Sequence, residues 1–214
     1  MLGEIFDTRE IDSLSEALAG ASFTRSRAGA RHAMGSPAVA ELARHARLMR
    51  IVCDVLGAGA TAYRATLFDK SPTSNWLVVW HQDTALPLVR RREVSGWGPW
   101  SEKAGIVYAH APAAALERVL ALRIHLDDST ASNGPLRVLP GTHRRGVLTD
   151  EALQSLAREI EPVDCLSTRG GVLAMRPLVV HASSKSRSDA RRRVLHIEYA
   201  TSMHLGENLE LAIA

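Results

Sequence analysis

Cysteine is nearly missing: the 214 residues hold Cys53 and Cys165 alone. Two distant thiols build no disulfide framework, zinc knuckle or redox pair, and both are expected to be buried. Aromatic residues are scarce as well, at 5%. None is interleaved with the basic knots Arg90-Arg91-Arg92, Arg144-Arg145 and Arg191-Arg192-Arg193, so the stacking that accompanies a nucleic-acid face is absent and no nucleic-acid partner is expected. Long apolar runs are lacking too. The longest, Trp76 to Trp80, falls far short of the roughly 18 to 20 residues that cross a bilayer, so no membrane span is expected. The start, MLGEIFDTREIDS, carries acids early and has no basic, then apolar leader, from which a cytoplasmic location is expected. A large excess of one charge is also missing, with 26 basic against 23 acidic residues. Most of these charges are expected to be solvated. No repeat, low-complexity tract or linker interrupts the chain, which reads as one domain, 1–214.

What is present is an ordinary globular composition, 46% hydrophobic. Asp7 followed by Glu10 is a capping-box pattern, Ile11, Leu14 and Leu18 share a helical face, and Gly20 closes it. Ser36-Pro37 predicts a second helix start, with Leu42, Ala46, Met49, Cys53 and Leu56 on one face up to Gly57. From Thr61 the pattern changes to short strands. Leu120, Leu122, Ile124 and Leu126 alternate with Ala121, Arg123, His125 and Asp127, giving a strand over Val119 to Asp127 with one polar face. Asn133-Gly134 predicts a hairpin joining it to Pro135 to Leu139. A helix is expected over Thr149 to Ile160, a turn at Gly170-Gly171 before Val172 to Met175, and a last strand over Val194 to Tyr199. The elements imply a mainly β, α+β fold with helices packed outside it.

On a strand, ligands two residues apart share a face, so His-x-Asp offers an imidazole and a carboxylate to one metal ion, and a third ligand completes a facial triad. Three pairs qualify: His81 with Asp83, His125 with Asp127, and His196 with Glu198. With 9 histidines and 10 aspartates, about 0.4 His-x-Asp matches arise by chance, so spacing alone decides nothing. His81 follows an apolar strand and precedes a loop, the better context for an open site. An isolated His181 after Leu178-Val179-Val180 reads more readily as a core histidine, and His143 as a turn brace. Trp97 and Trp100 read equally as a substrate wall or as loop anchors.

Several blocks occur in a telling order: Arg64 to Pro72, Asn75-Trp76, Trp80 to Asp83, Leu122 to Asp128, Asn133 to Leu136, Pro140-Gly141-Thr142-His143, and His181-x-Ser183 ahead of a basic run and Val194 to Tyr199. Together they resemble the phytanoyl-CoA dioxygenase family of iron(II)- and 2-oxoglutarate-dependent oxygenases, in a bacterial branch. The resemblance implies a double-stranded β-helix, a cupin-like jelly-roll over 61–200, buttressed by a helical part over 1–60. It implies His81, Asp83 and His181 as ligands of Fe(II), with 2-oxoglutarate and O2 as cosubstrates. Arg192, eleven residues past His181, and Ser183 match residues that hold the distal carboxylate of 2-oxoglutarate. Thr66 and Arg123 occupy positions that contact this cosubstrate in relatives, although Arg123 replaces a family tryptophan. Lys70, Asn75, Trp76, Trp97 and Trp100 are expected around the mouth of a pocket for a small-molecule substrate. With Asp83 present, hydroxylation is expected over halogenation. The competing reading is a non-catalytic jelly-roll that binds a metal or small ligand as a sensor or structural module.

Overall fold

The computed structural model describes residues 2–21, 23–26 and 29–214. In chain order its strands are β1 (Leu2–Glu4), β2 (Thr24–Ser26), β3 (Gly29–Arg31), β4 (Thr61–Lys70), β5 (Val78–His81), β6 (Ala85–Leu88), β7 (Trp100–Lys103), β8 (Ile106–His110), β9 (Val119–His125), β10 (Leu136–Val138), β11 (Val163–Cys165), β12 (Gly171–Met175), β13 (His181–Ser183), β14 (Arg192–Ala200), β15 (His204–Gly206) and β16 (Leu209–Glu210). Its helices are α1 (Thr8–Ala19), α2 (Pro37–Ala43), α3 (Ala46–Leu56), α4 (Ala113–Leu116) and α5 (Asp150–Glu159).

A seven-stranded sheet runs β1-β12-β9-β14-β4-β3-β2, a four-stranded sheet β11-β10-β13-β5, and a three-stranded sheet β6-β8-β7. Every pairing within them is antiparallel. Period-two alternation divides the large sheet. Leu122 and Ile124 of β9 and Leu195 and Ile197 of β14 bury against Ile11 of α1 and Leu48 and Val52 of α3. Arg123, between Leu122 and Ile124 on β9, and Arg192, at the start of β14, line the cleft toward the small sheet. Burying that many aliphatic side chains at about 1.5–3 kcal/mol each makes the helical layer the main stabilising face.

The capping box of α1 forms as expected, with Asp7 Oδ1 accepting from the Glu10 N–H and Glu10 Oε2 from the Asp7 N–H. The second helix differs from expectation: it breaks at Arg44-His45 into α2 and α3. Val39 and Ala43 are buried in the first piece, Leu48 and Val52 in the second. The five-residue step from Ala43 to Leu48 would carry one straight helix's apolar stripe off the core, and the break restores it. Cys53 is consequently half-buried rather than buried, while Cys165 is buried.

The 1–60 region also differs from a purely helical part, since β1, β2 and β3 extend the large sheet. The body likewise runs past residue 200. Ala214 exchanges backbone hydrogen bonds with Tyr63 and Ala65 beside β4. The Asn133-Gly134 hairpin does not form, because β9 and β10 belong to different sheets. β9 ends at His125; beyond it Asp127 is held by Arg193 and Asp128 by the Arg169 N–H, which draws the chain off the strand line before it crosses over. Among the described residues, no helix is long and apolar enough to cross a membrane.

Candidate active site

The cleft between the two sheets is lined from both sides. Phe68, Arg123 and Arg192 come from the large sheet, Val78, His81, Leu136, His181 and Ser183 from the small one, with Trp76 and Asp83 at its loops. The pairing of β5 with β13 sets His81 directly opposite His181, bringing together residues 100 apart in sequence. Their ring centroids lie 4.1 Å apart. Each ring is fixed in the same way: Nδ1 donates to the carbonyl two residues back, His81 to Val79 and His181 to Val179, both at 2.9 Å. That turns each Nε2 to Asp83, whose oxygens lie 3.7 Å from His81 and 3.5 Å from His181. The Asp83 N–H donates to the Pro177 carbonyl, which seats the carboxylate between the rings. The ligand atoms of all three lie within 4.8 Å of one another.

Gln82, the middle residue of the motif, was not singled out in the sequence. Its side chain turns the other way, donating to the carbonyls of Gly146 and Leu178 and accepting from the Leu148 N–H, so it clamps the strand ends that carry the triad.

Electrostatics prepare the triad for a cation. Burial alone would raise the Asp83 carboxyl, but His181, His196, His81 and Arg64 outweigh it and hold it well below the usual range. Burial pushes His181 down to about 4, against the pull of Asp83, so its ring is neutral at pH 7. Two imidazoles and one carboxylate so placed are a donor set able to hold a metal ion.

At the other end of the cleft, the three successive arginines separate. Arg191 pairs bidentately with Asp69 and Arg193 with Asp127, while Arg192 turns inward and meets no carboxylate among the described residues. Its Nε donates to the Asn133 carbonyl, and its Nη2 lies 3.5 Å from Ser183 Oγ. Lys70 lies beneath rather than at the mouth. It is 1% exposed, and its Nζ donates to Ser183 Oγ at 2.9 Å and to the Ser184 carbonyl at 2.6 Å. The Asn133-Gly134 turn walls this end: Ser183 Oγ donates to the Gly134 carbonyl, and Gly134, at φ 68°, has Ser184 O 2.4 Å from where a Cβ would stand. Only glycine fits there.

The remaining sequence candidates are placed as follows. Thr66 is paired with His196 on β4 and does not line the cleft. Asn75 pins the loop at Ser186 through two hydrogen bonds, and Trp97 and Trp100 pack on the Tyr63–Leu86–Leu116 cluster outside the cleft. Trp76 lines the cleft, with Lys70 Nζ 5.2 Å from its ring centre.

The sequence profile of the family described as phytanoyl-CoA dioxygenase (PhyH) matches residues 4–194. A curated L-proline trans-4-hydroxylase of Streptomyces griseoviridis is 27% identical over 75% of this chain and 62% of its own length. The chain thus spans about three fifths of that relative. Among solved structures, EctD from S. alaskensis in its apo form superposes with a TM-score of 0.67 at 22% identity, over 93% of this chain and 71% of that one. HygX from Streptomyces hygroscopicus, solved with nickel and 2-oxoglutarate bound, gives a TM-score of 0.66 at 17% identity, over 93% and 81%. These two likenesses carry the jelly-roll fold.

Proposed function

The chain belongs to the phytanoyl-CoA dioxygenase family, and from that premise we propose that it is an iron(II)- and 2-oxoglutarate-dependent hydroxylase of a small molecule, with His81, Asp83 and His181 as the metal ligands. The observation that carries this reading is the meeting, in one cleft, of a two-histidine, one-carboxylate donor set with a buried, carboxylate-free arginine. The donor set fits iron(II): both rings present Nε2, and no side chain among the described residues hydrogen-bonds to Asp83. When bound, iron(II) with 2-oxoglutarate and O2 would supply the oxidant, one atom of O2 ending in succinate as carbon dioxide is lost and the other in the hydroxylated product.

The protein's own residues do the positioning. Val79 and Val179 hold the rings in the tautomer that can ligate, and metal binding displaces no proton from His181 at pH 7. Arg192, with Lys70 behind it, receives the far carboxylate of 2-oxoglutarate: a guanidinium donates two parallel bonds and the ammonium adds charge from below, while Ser183, whose hydroxyl donates to the Gly134 carbonyl, holds Lys70 Nζ in place. Lys70 therefore belongs to the cosubstrate end of the cleft. Phe68, Trp76, Val78 and Leu136 give the reaction space apolar walls that limit water. Asp83 fills the third ligand position that a halogenating relative leaves to halide, which favours hydroxylation. The similarity to a proline hydroxylase supports a small substrate, and nothing in the cleft requires a coenzyme A thioester.

The test is anaerobic addition of iron(II) and then 2-oxoglutarate, watching the weak visible charge-transfer band of the chelated keto acid. Wild type and His125→Ala should show the band, His81→Ala should not, and Arg192→Ala should need far more 2-oxoglutarate. No band in wild type overturns the reading in favour of a non-catalytic ligand-binding module.

A further inference from the structure

The cleft holds more buried positive charge than its cosubstrate removes. Lys70, Arg123 and Arg192 are 1%, 6% and 4% exposed, and none has a carboxylate partner among the described residues. Arg64, by contrast, is paired with Glu198. Burial pushes Lys70 down to about 8 and Arg123 and Arg192 each to about 10, with Arg192 acting on Lys70 and Arg123 on Arg192. An unpaired buried cation costs several kcal/mol, so three around one cavity mark it as a receptor for anions.

2-Oxoglutarate brings two carboxylates. One goes to the metal end and the other to the Arg192, Ser183 and Lys70 group, which leaves Arg123 with no carboxylate in hydrogen-bond reach among the described residues, Asp83 acting on it only from a distance. Arg123 lines the cleft and lies over the Phe68 ring at 5.2 Å. Its Nη1 is 3.1 Å from His196 Nδ1, and its Nε is buried with no partner among the described residues. Hydrogen-bond logic fixes this orientation. A carboxylate only accepts, so His196 Nε2, 3.1 Å from Glu198 Oε1, carries the proton, and Nδ1 presents a lone pair that the guanidinium alone can fill. Glu198 is itself held by Tyr63 Oη at 2.7 Å and by Arg64. The chain Tyr63 and Arg64 to Glu198 to His196 therefore braces Arg123 from behind and leaves its Nε edge for a ligand.

We propose that Arg123 anchors a carboxylate of the primary substrate, so that the substrate is a small carboxylic acid and the cleft contains two carboxylate subsites. This rests on the oxygenase reading above. His196 is a positioning residue in it, acting through Arg123.

The test uses the full chain with nickel(II) in place of iron, so that nothing turns over, followed by calorimetry. Titration with 2-oxoglutarate comes first, for wild type, Arg123→Gln, Arg123→Lys and Arg192→Gln, with circular dichroism as the folding control. A panel of L-α-amino acids and 2-hydroxy acids, each beside its primary amide, is then titrated at saturating 2-oxoglutarate. In wild type at least one acid should bind tenfold or more tighter than its amide. Arg123→Gln should bring that preference to within twofold while keeping 2-oxoglutarate affinity within threefold, and Arg123→Lys should recover part of it. The proposal is overturned if no acid is preferred over its amide, if the preference survives Arg123→Gln, or if Arg123→Gln weakens 2-oxoglutarate as much as Arg192→Gln does, which would assign Arg123 to the cosubstrate. Failure of wild type to bind 2-oxoglutarate at all would overturn the oxygenase reading, and this proposal with it.

Discussion

His81-x-Asp83 and His196-x-Glu198 share one spacing, lie on neighbouring walls, and both belong to three-residue groups able to hold a metal, Asp83 being common to the two. Their carboxylates differ in what already occupies them. Glu198 accepts from Tyr63, Arg64 and His196, whereas Asp83 has only two imidazoles beyond 3.4 Å and no hydrogen-bond donor among the described residues. A saturated buried carboxylate is a structural strut; one left open between two imidazoles is poised for a cation. The third pair divides altogether: Asp127 is clasped by Arg193, while both ring nitrogens of the buried His125 lack a partner among the described residues. Motif spacing nominates ligands, and hydrogen-bond saturation selects among them.

The contrast is broken most forcefully at Asp83. Asp83→Ala is expected to abolish succinate formation, with a loss of at least about a thousandfold. Undiminished turnover in that variant would end the assigned triad. Next in size, Glu198→Ala should cost about 3–5 kcal/mol of stability, because Arg64 and His196 are left buried and unpaired. Its metal stoichiometry per folded molecule should be unchanged, measured by denaturant unfolding beside metal titration. A normally stable Glu198→Ala that no longer bound metal would exchange the roles of the two carboxylates.

Arg192→Gln comes third. Removing one charged partner of a carboxylate is worth about 1.5–3 kcal/mol, so 2-oxoglutarate affinity should fall roughly ten- to a hundredfold, read by the midpoint of the anaerobic band. A change under twofold would argue that Lys70 and Ser183 suffice.

The smallest effect at neutral pH is expected at His125, which burial, Arg123 and Arg192 push down from 6.5 to about 3. The unfolded chain then takes up a proton that the folded one refuses between about pH 6.5 and 3. Stability from this group is complete above pH 6.5 and falls by up to about 1.4 kcal/mol per pH unit below it. His125→Phe should leave stability at pH 7.5 within about 1 kcal/mol of wild type and flatten the acid limb, since two orphaned ring nitrogens are replaced by carbon. Superimposable acid-unfolding curves would show that His125 meets a partner in solution.

Much of the molecule was legible in advance for local reasons. The capping box, the α5 helix after Thr149 and the alternation along Val119 to His125 depend on neighbours a few residues away, and they form. The Asn133-Gly134 turn was misjudged as a hairpin because turn chemistry shows that a chain reverses, not which sheet receives it. Its carbonyls instead accept from Arg192 and Ser183 at one end of the cleft. Gln82 and the bracing of Arg123 by His196 and Glu198 were out of reach, since each depends on partners 64 or more residues away.

The sequence by itself determined the helix starts, the two-faced strands and the short set of histidines and acids able to bind a metal, because periodicity and capping are local properties of a chain. Only the tertiary structure decided which pair is open. The β5 to β13 register sets His181 against His81, three adjacent arginines find different counter-charges, and buried hydrogen bonds fill Glu198 while sparing Asp83. Saturation of a buried polar group depends on every element packed around it, and that information exists only once the sheets have closed on one another.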